Sequence, residues 1–244
     1  MVKAGDNLAD LVVNTAKKNG VEIENGDIVV IAQKIVSKAE GRVIRLSQVK
    51  PSEKAKELAE ITKKDPRFVE LILKETKSVV KASPETIVVK DVRDIISINA
   101  GIDKSNVLGD DAYALLPKDP DNSARKIRSE ISELTGKKVA IVICDTYSRP
   151  FRRGQVEFAI GVAGLKPTRD YRGEKDLFNY VLKVKNVAII DEIACAAELV
   201  MGQGNEAIPV AIIKNLQRAE PKNSSSAKEI IISEEEDLFK GTLK

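Results

Sequence analysis

Apolar positions along this chain fall into two alternating rhythms. From Asp6 to Lys18, Leu8, Leu11, Val12 and Ala16 recur three and four residues apart, which predicts a helix stopped by Gly20. After the Gly26-Asp27 turn, Ile28-Val29-Val30-Ile31 is unbroken and apolar, predicting a strand that runs on through Gln33, Lys34, Ile35 and Val36. Helical spacing then returns twice. Pro51 opens a helix with Leu58 and Ile61 inward, and Asp65-Pro66 forms an N-cap and first turn for another, with Val69, Ile72 and Leu73 inward. Strands are predicted near 86–90, 94–99 and 112–116, and the turn-rich 117–122 leads into a helix over 123–134 with Ile127, Ile131 and Leu134 on one side. Further strands are predicted at 138–144, 156–162 and 181–184. Val187 to Met201, rich in alanine and aliphatics, reads as a mostly buried helix ended by Gly202-Gln203-Gly204, with a strand over Pro209–Ile213. The serine-rich 222–228 predicts a mobile loop, and Ser233 with Glu236 predicts a capping box for a short last helix. Helices and strands interleave, but runs of consecutive strands break strict βαβ alternation. The predicted class is therefore α+β with mixed sheets and helices.

Composition narrows the function. The chain has 244 residues, 43% of them apolar, enough to bury the core of one large domain or two modest ones. Its 40 basic and 37 acidic residues nearly cancel, which argues against a nucleic-acid partner held by phosphate neutralisation. No apolar run approaches a membrane span and no signal-peptide core opens the chain, so neither a membrane partner nor export is expected. Cys144 and Cys195 lie far apart in apolar runs and in no CxxC pattern, which suits a reduced, cytoplasmic protein. Histidine is missing altogether. That removes the usual general base near neutral pH and the Ser-His and Cys-His nucleophile arrangements. Neither GxxxxGK[ST] nor a GxGxxG after a strand is present, so the common phosphate-binding loops are excluded as well.

The chemistry left concentrates in loops that follow apolar strands. Asp103 lies in Asn99-Ala-Gly-Ile-Asp103-Lys-Ser-Asn106, and Asp145 opens Asp145-Thr146-Tyr-Ser-Arg149-Pro-Phe-Arg152-Arg153-Gly154. A strand end fixes the residue just beyond it, so both carboxylates can be held rigidly at a sheet rim. Carboxylates beside hydroxyl and amide groups suit Mg²⁺ or Mn²⁺, and Arg149, Arg152 and Arg153 suit a phosphate or carboxylate. Taken singly, Asp145 also reads as a turn cap and the arginines as solvated. Together, the two loops favour a metal-and-phosphate site. Gly202-Gln203-Gly204 ends a helix where cations are favoured, and the Gln203 carbonyl can complete a metal shell. Lys34 and Lys38, near a strand end, can reach phosphates, although alone they also read as an exposed basic edge.

These loops in order resemble one family. The stretches GDIVVIAQKIVSKAEGR, NAGIDKSNV, LLPKDPDNSARKIR, DTYSRPFRRGQVEFAIGVAGL, RGEKDL, DEIACAAELVMGQG and IPVAII look like coenzyme F420-0:γ-glutamyl ligases over roughly residues 5 to 215. The resemblance implies a GTP-dependent, GDP-forming amide ligase. Such an enzyme activates the lactyl carboxylate of its deazaflavin substrate as an acyl phosphate, then joins L-glutamate to it. It implies two divalent ions, Mg or Mn, with potassium as a further ion. It also implies an intertwined homodimer of two-domain subunits with a middle domain inserted into the first, here 85–185 within 1–84 and 186–244. The family's metal ligands fall on Asp103, Asp145, Thr146 and Gln203. Its nucleotide contacts fall on Gln33, Lys34, Lys38, Asn106 and the loop Met201, Gly202, Gln203, Gly204, Asn205, Glu206, Ala207 and Ile208. Asp103, Asp145 and Arg153 become the expected catalytic residues. Met1 stands just before the first helix, so a strand and short loop that family members carry there is expected to be shortened or missing. The rival readings are an NTP-dependent amide ligase for another acidic metabolite, a non-catalytic nucleotide-binding module, and a phosphatase with Asp145 as nucleophile. The second aspartate that such a phosphatase needs is Tyr147 here.

Overall fold

The computed structural model describes residues 1–217, 219–233 and 235–237. In chain order the elements are α1 (Leu8–Lys18), β1 (Ile28–Ala32), α2 (Gln33–Ala39), β2 (Val43–Arg45), α3 (Glu53–Thr62), α4 (Pro66–Lys74), β3 (Thr76–Ser83), β4 (Thr86–Asp91), β5 (Ile96–Ile98) and β6 (Ala112–Ala114). They continue with α5 (Pro120–Thr135), β7 (Ala140–Ser148), β8 (Gln155–Leu165), β9 (Arg169–Asp170), β10 (Asn186–Val187), α6 (Ile189–Met201), β11 (Val210–Ile213) and β12 (Pro221–Lys222). The α+β class expected from the sequence holds. Among the described residues no helix is long and apolar enough to cross a membrane.

The largest sheet has the order β11-β1-β7-β8-β12. Its centre is a parallel pair, β1 with β7, and β11 and β8 flank it antiparallel. Val29, Ile31, Ile141 and Ile143 pack on one face beneath α1 and α5. Ile28, Val30, Ala140 and Val142 pack on the other beneath α6. Burial on both faces explains why these strands read as unbroken apolar runs. Strand pairing links segments from both sides of the expected domain division, since β1 and β11 come from the flanking segments and β7 and β8 from the middle one. A separate core lies under α3 and α4, where Ala55, Val69 and Ile72 meet Ile87 and Val89 of the β3-β4-β5 sheet.

Several expectations change. The run Gln33–Val36 is not strand but the start of α2. Parallel pairing of β1 with β7 ends at Ala32 opposite Cys144, and with no ladder left to join the chain coils. The β-branched Ile35 and Val36 hid this. Strand β3 was not expected, because its pattern is largely polar and exposed. Helix α5 begins at Pro120, earlier than read, with the Asp119 carboxylate accepting from the Asn122 amide at 2.9 Å. Leu11, Ile61 and Leu134 lie exposed rather than inward. At 181–184 only a bridge from Val181 to Lys175 forms, and the nearby pairing is β9 with β10. The 222–228 stretch is ordered. It starts with β12 pairing to β8, and Ser226 and Glu229 form a capping box on the turn Ala227–Ile230. At the expected last helix, the Ser233 amide donates to Glu236 at 3.2 Å, while 234 and 238–244 lie outside the described residues.

Candidate functional site at the rim of the central sheet

Topology brings four chain segments to one edge of the sheet. The parallel pair β1 and β7 points its C-terminal ends to this rim, the usual place for ligands in α/β sheets. Gln33 therefore follows Ala32 beside Asp145. The antiparallel neighbours begin there: β8 brings Glu157 opposite Thr146, and β11 is entered from Pro209, whose carbonyl accepts from the Ala32 amide at 2.9 Å. The loop from Gly202 to Ile208 must consequently cross the same rim.

Hydrogen bonds tie these segments together. The Gln33 amide donates to Asp145 at 3.3 Å, and the Gln33 carbonyl is held in turn by the Ser37 hydroxyl at 2.9 Å. One residue on, Lys34 pairs with Asp103 and donates to the Ser105 carbonyl at 2.9 Å. Lys38 donates to the Asn106 carbonyl at 2.6 Å, and the Asn106 amide donates to the Gly204 carbonyl at 3.0 Å. The start of α2 is thus the joint between the Asp103 loop and the Asp145 strand. Asp103 and Asp145 sit on neighbouring residues of that joint.

The local chain is shaped for these positions. Asn99, Ala100 and Gly101 take successive left-handed conformations, and a Cβ on Gly101 would meet Leu116 at 2.6 Å. The next turn carries Asp103, pinned by reciprocal backbone bonds with Ala114. At the other side, Gly202 ends α6 with φ of 69°, where a Cβ would lie 2.5 Å from the Glu206 side chain. The Glu206 carboxylate accepts from the Gly204 amide at 2.7 Å, which folds this loop over the rim.

At the centre stands a residue not singled out from the sequence. Glu157 is only 4% exposed, and its Oε1 accepts from Thr146 Oγ1 at 2.6 Å and from the Gln203 amide at 2.8 Å. The Cys195 thiol faces its backbone carbonyl at 3.2 Å. Burial first, and then the Glu157 carboxylate, push Asp145 up to about 7. Asp103 goes the other way: burial raises it, but Lys34 and Ser105 outweigh burial and hold it below its ordinary value. Burial, helped by the neighbouring Lys34, lowers Lys38. A glutamate in the otherwise apolar Val156-Glu157-Phe158-Ala159-Ile160 was the available signal, because a lone acid on a buried strand needs a partner.

The donor set fits a hard cation. Asp145, Thr146, Glu157 and Gln203 offer oxygen atoms, and Asp145 and Glu157 receive hydrogen bonds from neutral side chains. Among the described residues no three His, Cys, Asp or Glu side chains could hold an ion by themselves, so a cation here would also need Thr146 and Gln203. The arginine loop is placed differently from expectation. Arg152 and Arg153 are exposed, and among the described residues no hydrogen bond or ion pair joins them to these carboxylates. Arg149 turns inward, donating to the Arg153 carbonyl at 3.4 Å. Met201 is buried beneath the loop, while Asn205, Ala207 and Ile208 are exposed on it.

A family model described as F420-0:gamma-glutamyl ligase matches residues 1–215, a span that includes every one of these positions. The chain belongs to the F420-0:gamma-glutamyl ligase family. Proteins called coenzyme F420:L-glutamate ligase are similar along almost its whole length. That of Methanothermobacter thermautotrophicus is 44% identical over 242 residues, covering 99% of this chain and 95% of its own. That of Archaeoglobus fulgidus is 43% identical over 244 residues, covering 100% and 94%, and that of Methanocaldococcus jannaschii 45% over 218, covering 89% and 86%. Within this F420-0:gamma-glutamyl ligase family member, the five-stranded sheet rim is thus the candidate site, and Glu157 joins the residues expected from the sequence.

Proposed function

We propose that this chain is a GTP- and divalent-metal-dependent ligase that adds L-glutamate to the lactyl carboxylate of coenzyme F420-0. The observation that carries the reading is the pair of half-buried Asp145 and buried Glu157, both hydrogen-bonded to neutral side chains at the rim that the 202–208 loop crosses. In the first step a carboxylate oxygen of the acceptor attacks the γ-phosphorus, the bond to the β–γ bridging oxygen breaks, and GDP leaves. In the second, the glutamate amine attacks the acyl carbon, loses a proton and expels inorganic phosphate. Lys34, Lys38, Gln33, Asn106 and the loop 201–208 position GTP, while Arg149, Arg152 and Arg153 meet the acidic acceptor. Asp103, Asp145, Thr146 and Gln203 would hold divalent ions, Mg or Mn with potassium as a further ion, which neutralise charge on the transferring phosphoryl group. No general base is needed for the first step, which agrees with the lack of histidine.

A homodimer belongs to the same proposal. The segment from Tyr171 to Lys185 exposes Leu177 at 96%, Phe178 at 88% and Val184 at 88%, more apolar side chain than a free surface segment needs. Sedimentation of the purified chain tests it. For the reaction, incubation with F420-0, GTP, Mn²⁺ and glutamate should give, by mass spectrometry, an acceptor heavier by one or more glutamates. Hydroxylamine in place of glutamate should give a hydroxamate, with one GDP for each. GDP release without a new amide, or phosphate left on the protein, would overturn the reading.

A further inference from the structure

Helix α2 is seven residues long and carries two polar stripes side by side. Residues four apart on a helix lie on one face, one turn above the other. Lys34 and Lys38 make the first pair, reaching the Asp103 carboxylate and the Asn106 carbonyl. Gln33 and Ser37 make the second, buried beside Val36. The sequence pattern gives three of these four a role in the site. It gives Ser37 none.

A serine at this position needs a physical reason. Ser37 is fully buried, at 0% exposure, and Gln33 is at 2%. Serine is a poorer helix former than alanine, and a buried hydroxyl is costly unless it is hydrogen-bonded. Alanine would fill the place with neither cost. Among the described residues the Ser37 side chain makes one hydrogen bond, donating to Gln33 Oε1 at 2.9 Å. It does not take the usual helical alternative, the backbone carbonyl four residues back, which Thr62 and Thr135 use in α3 and α5. The hydroxyl is therefore committed to the Gln33 side chain.

The relay that results has one direction. An ionised carboxylate only accepts, so Gln33 turns its Nε2 to Asp145 Oδ1, at 3.3 Å. That leaves Oε1 in the buried interior, where the Ser37 hydroxyl is its donor. Turned over, the amide would set Oε1 against the carboxylate, two acceptors facing each other. The 3.3 Å contact lies at the long end for such a bond, so a small tilt of Gln33 breaks it. Ser37 supplies the restraint against that tilt.

We infer that Ser37 is a positioning residue for the metal centre, acting through Gln33 to fix the orientation of Asp145. The inference rests on the proposed ligase reading, in which Asp145 holds a divalent ion, and extends that centre inward to a side chain behind Gln33. Partners that orient a metal ligand typically change metal affinity by about 10–100-fold.

The test measures Mn²⁺ affinity of the full chain by calorimetry without nucleotide, beside urea unfolding of the metal-free protein. Threonine and valine have nearly the same shape and differ in the hydroxyl, so Ser37→Thr and Ser37→Val share any strain from the added bulk. Ser37→Ala and Ser37→Val should raise the Kd for Mn²⁺ about tenfold or more, while Ser37→Thr stays within about twofold of the wild type. In a Gln33→Leu chain the relay is already cut, and adding Ser37→Ala there should change the Kd by less than about twofold. That cycle carries the test by itself where the bulkier variants do not fold. Equal losses in Ser37→Thr and Ser37→Val, or a full tenfold loss from Ser37→Ala in the Gln33→Leu chain, overturn the inference. So does a Ser37→Ala chain that unfolds earlier in urea with unaltered Mn²⁺ affinity, which assigns the hydroxyl to packing and leaves the ligase reading standing. A wild type that binds no Mn²⁺ overturns the inference and the metal-dependent reading together.

Discussion

Two acidic clusters drawn largely out of water in this molecule are built in opposite ways. Glu75 and Asp91, in the unit formed by α4 and the β3-β4-β5 sheet, carry their own cations. Arg42 reaches Glu75 at 2.8 Å, and Arg93 reaches Glu75 at 2.9 Å and Asp91 at 3.0 Å. At the rim of the five-stranded sheet, Asp145 and Glu157 receive hydrogen bonds from Gln33, Thr146 and Gln203, all neutral. Taking a carboxylate out of water is costly unless it is paired and hydrogen-bonded. The first cluster meets much of that cost within the chain, although burial still outweighs Arg93 and holds Asp91 above its ordinary value. The second leaves it open, and an incoming cation would close it. Burial alone therefore does not mark a functional carboxylate; what separates the two clusters is where the compensating charge comes from.

The comparison breaks most visibly at Arg93. It is 5% exposed and serves both acids of the closed cluster, so Arg93→Met leaves Glu75 with Arg42 alone and Asp91 with none. Removing one partner from a buried pair typically costs about 3–5 kcal/mol, and a loss of that order is expected in urea unfolding of the metal-free chain. Mn²⁺ affinity of the folded fraction should stay as in the wild type. A matching loss of Mn²⁺ affinity would show that the clusters are not independent.

The converse substitution is Asp145→Asn. It removes a charge from a pair that repels, so the metal-free chain should unfold at the same or a higher urea concentration. Mn²⁺ affinity should fall by more than about 100-fold, the upper range for losing an outer partner of a metal ligand. Calorimetric titration beside the urea curve separates the two effects. Lower stability with intact Mn²⁺ binding would place Asp145 with the closed cluster instead.

Why one cluster and not the other was legible lies in how local each is. Asp103 and Asp145 were readable as candidates because each stands where an apolar run gives way to polar residues. The expected strand ends were misplaced, however: β7 runs on through Ser148, so Asp145 lies within the strand, and Asp103 is held by its bridge to Ala114 beyond β5. The helices α1, α4 and α6 were readable for a similar reason, since their caps and apolar spacing lie within a few residues. Glu157 was not, because its partners Thr146 and Gln203 are 11 and 46 residues away and meet it only through the β7–β8 register and the end of α6. The Lys34–Asp103 pair, 69 residues apart, was hidden in the same way. The α2 boundary failed because the choice between strand and helix at Gln33 is made by where β7 stops pairing.

Glu157→Gln sharpens the open cluster further, with a smaller effect. Glutamine keeps the size and an acceptor for Thr146 and Gln203 while removing the charge. As a positioning residue, Glu157 should then affect Mn²⁺ affinity by about 10–100-fold, the range for partners that orient metal ligands. A purely structural glutamate would give lower stability and unchanged Mn²⁺ affinity.

The smallest effect is expected where a carboxylate is paired but not buried. Asp170 accepts a fork from Arg172, with Nε at 2.9 Å from one oxygen and Nη2 at 2.6 Å from the other, and also accepts the Arg172 amide at 2.9 Å. The Arg172 side chain, followed by its amide, lowers Asp170 from 3.8 to about 2. Both side chains are about half exposed, so water and salt screen the pair strongly. A folded value below the unfolded one means that the stabilisation is present above the unfolded value and lost as pH falls through the folded one. Here that window runs from about 4 down to about 2. Asp170→Asn should therefore leave the unfolding midpoint at pH 7 almost unchanged, and any difference should shrink in high salt. Wild type and variant should converge as pH falls through that window. A large loss at pH 7 that survives high salt would mean that Asp170 is buried in the assembled protein, and would move this pair into the class of Glu75 and Arg93.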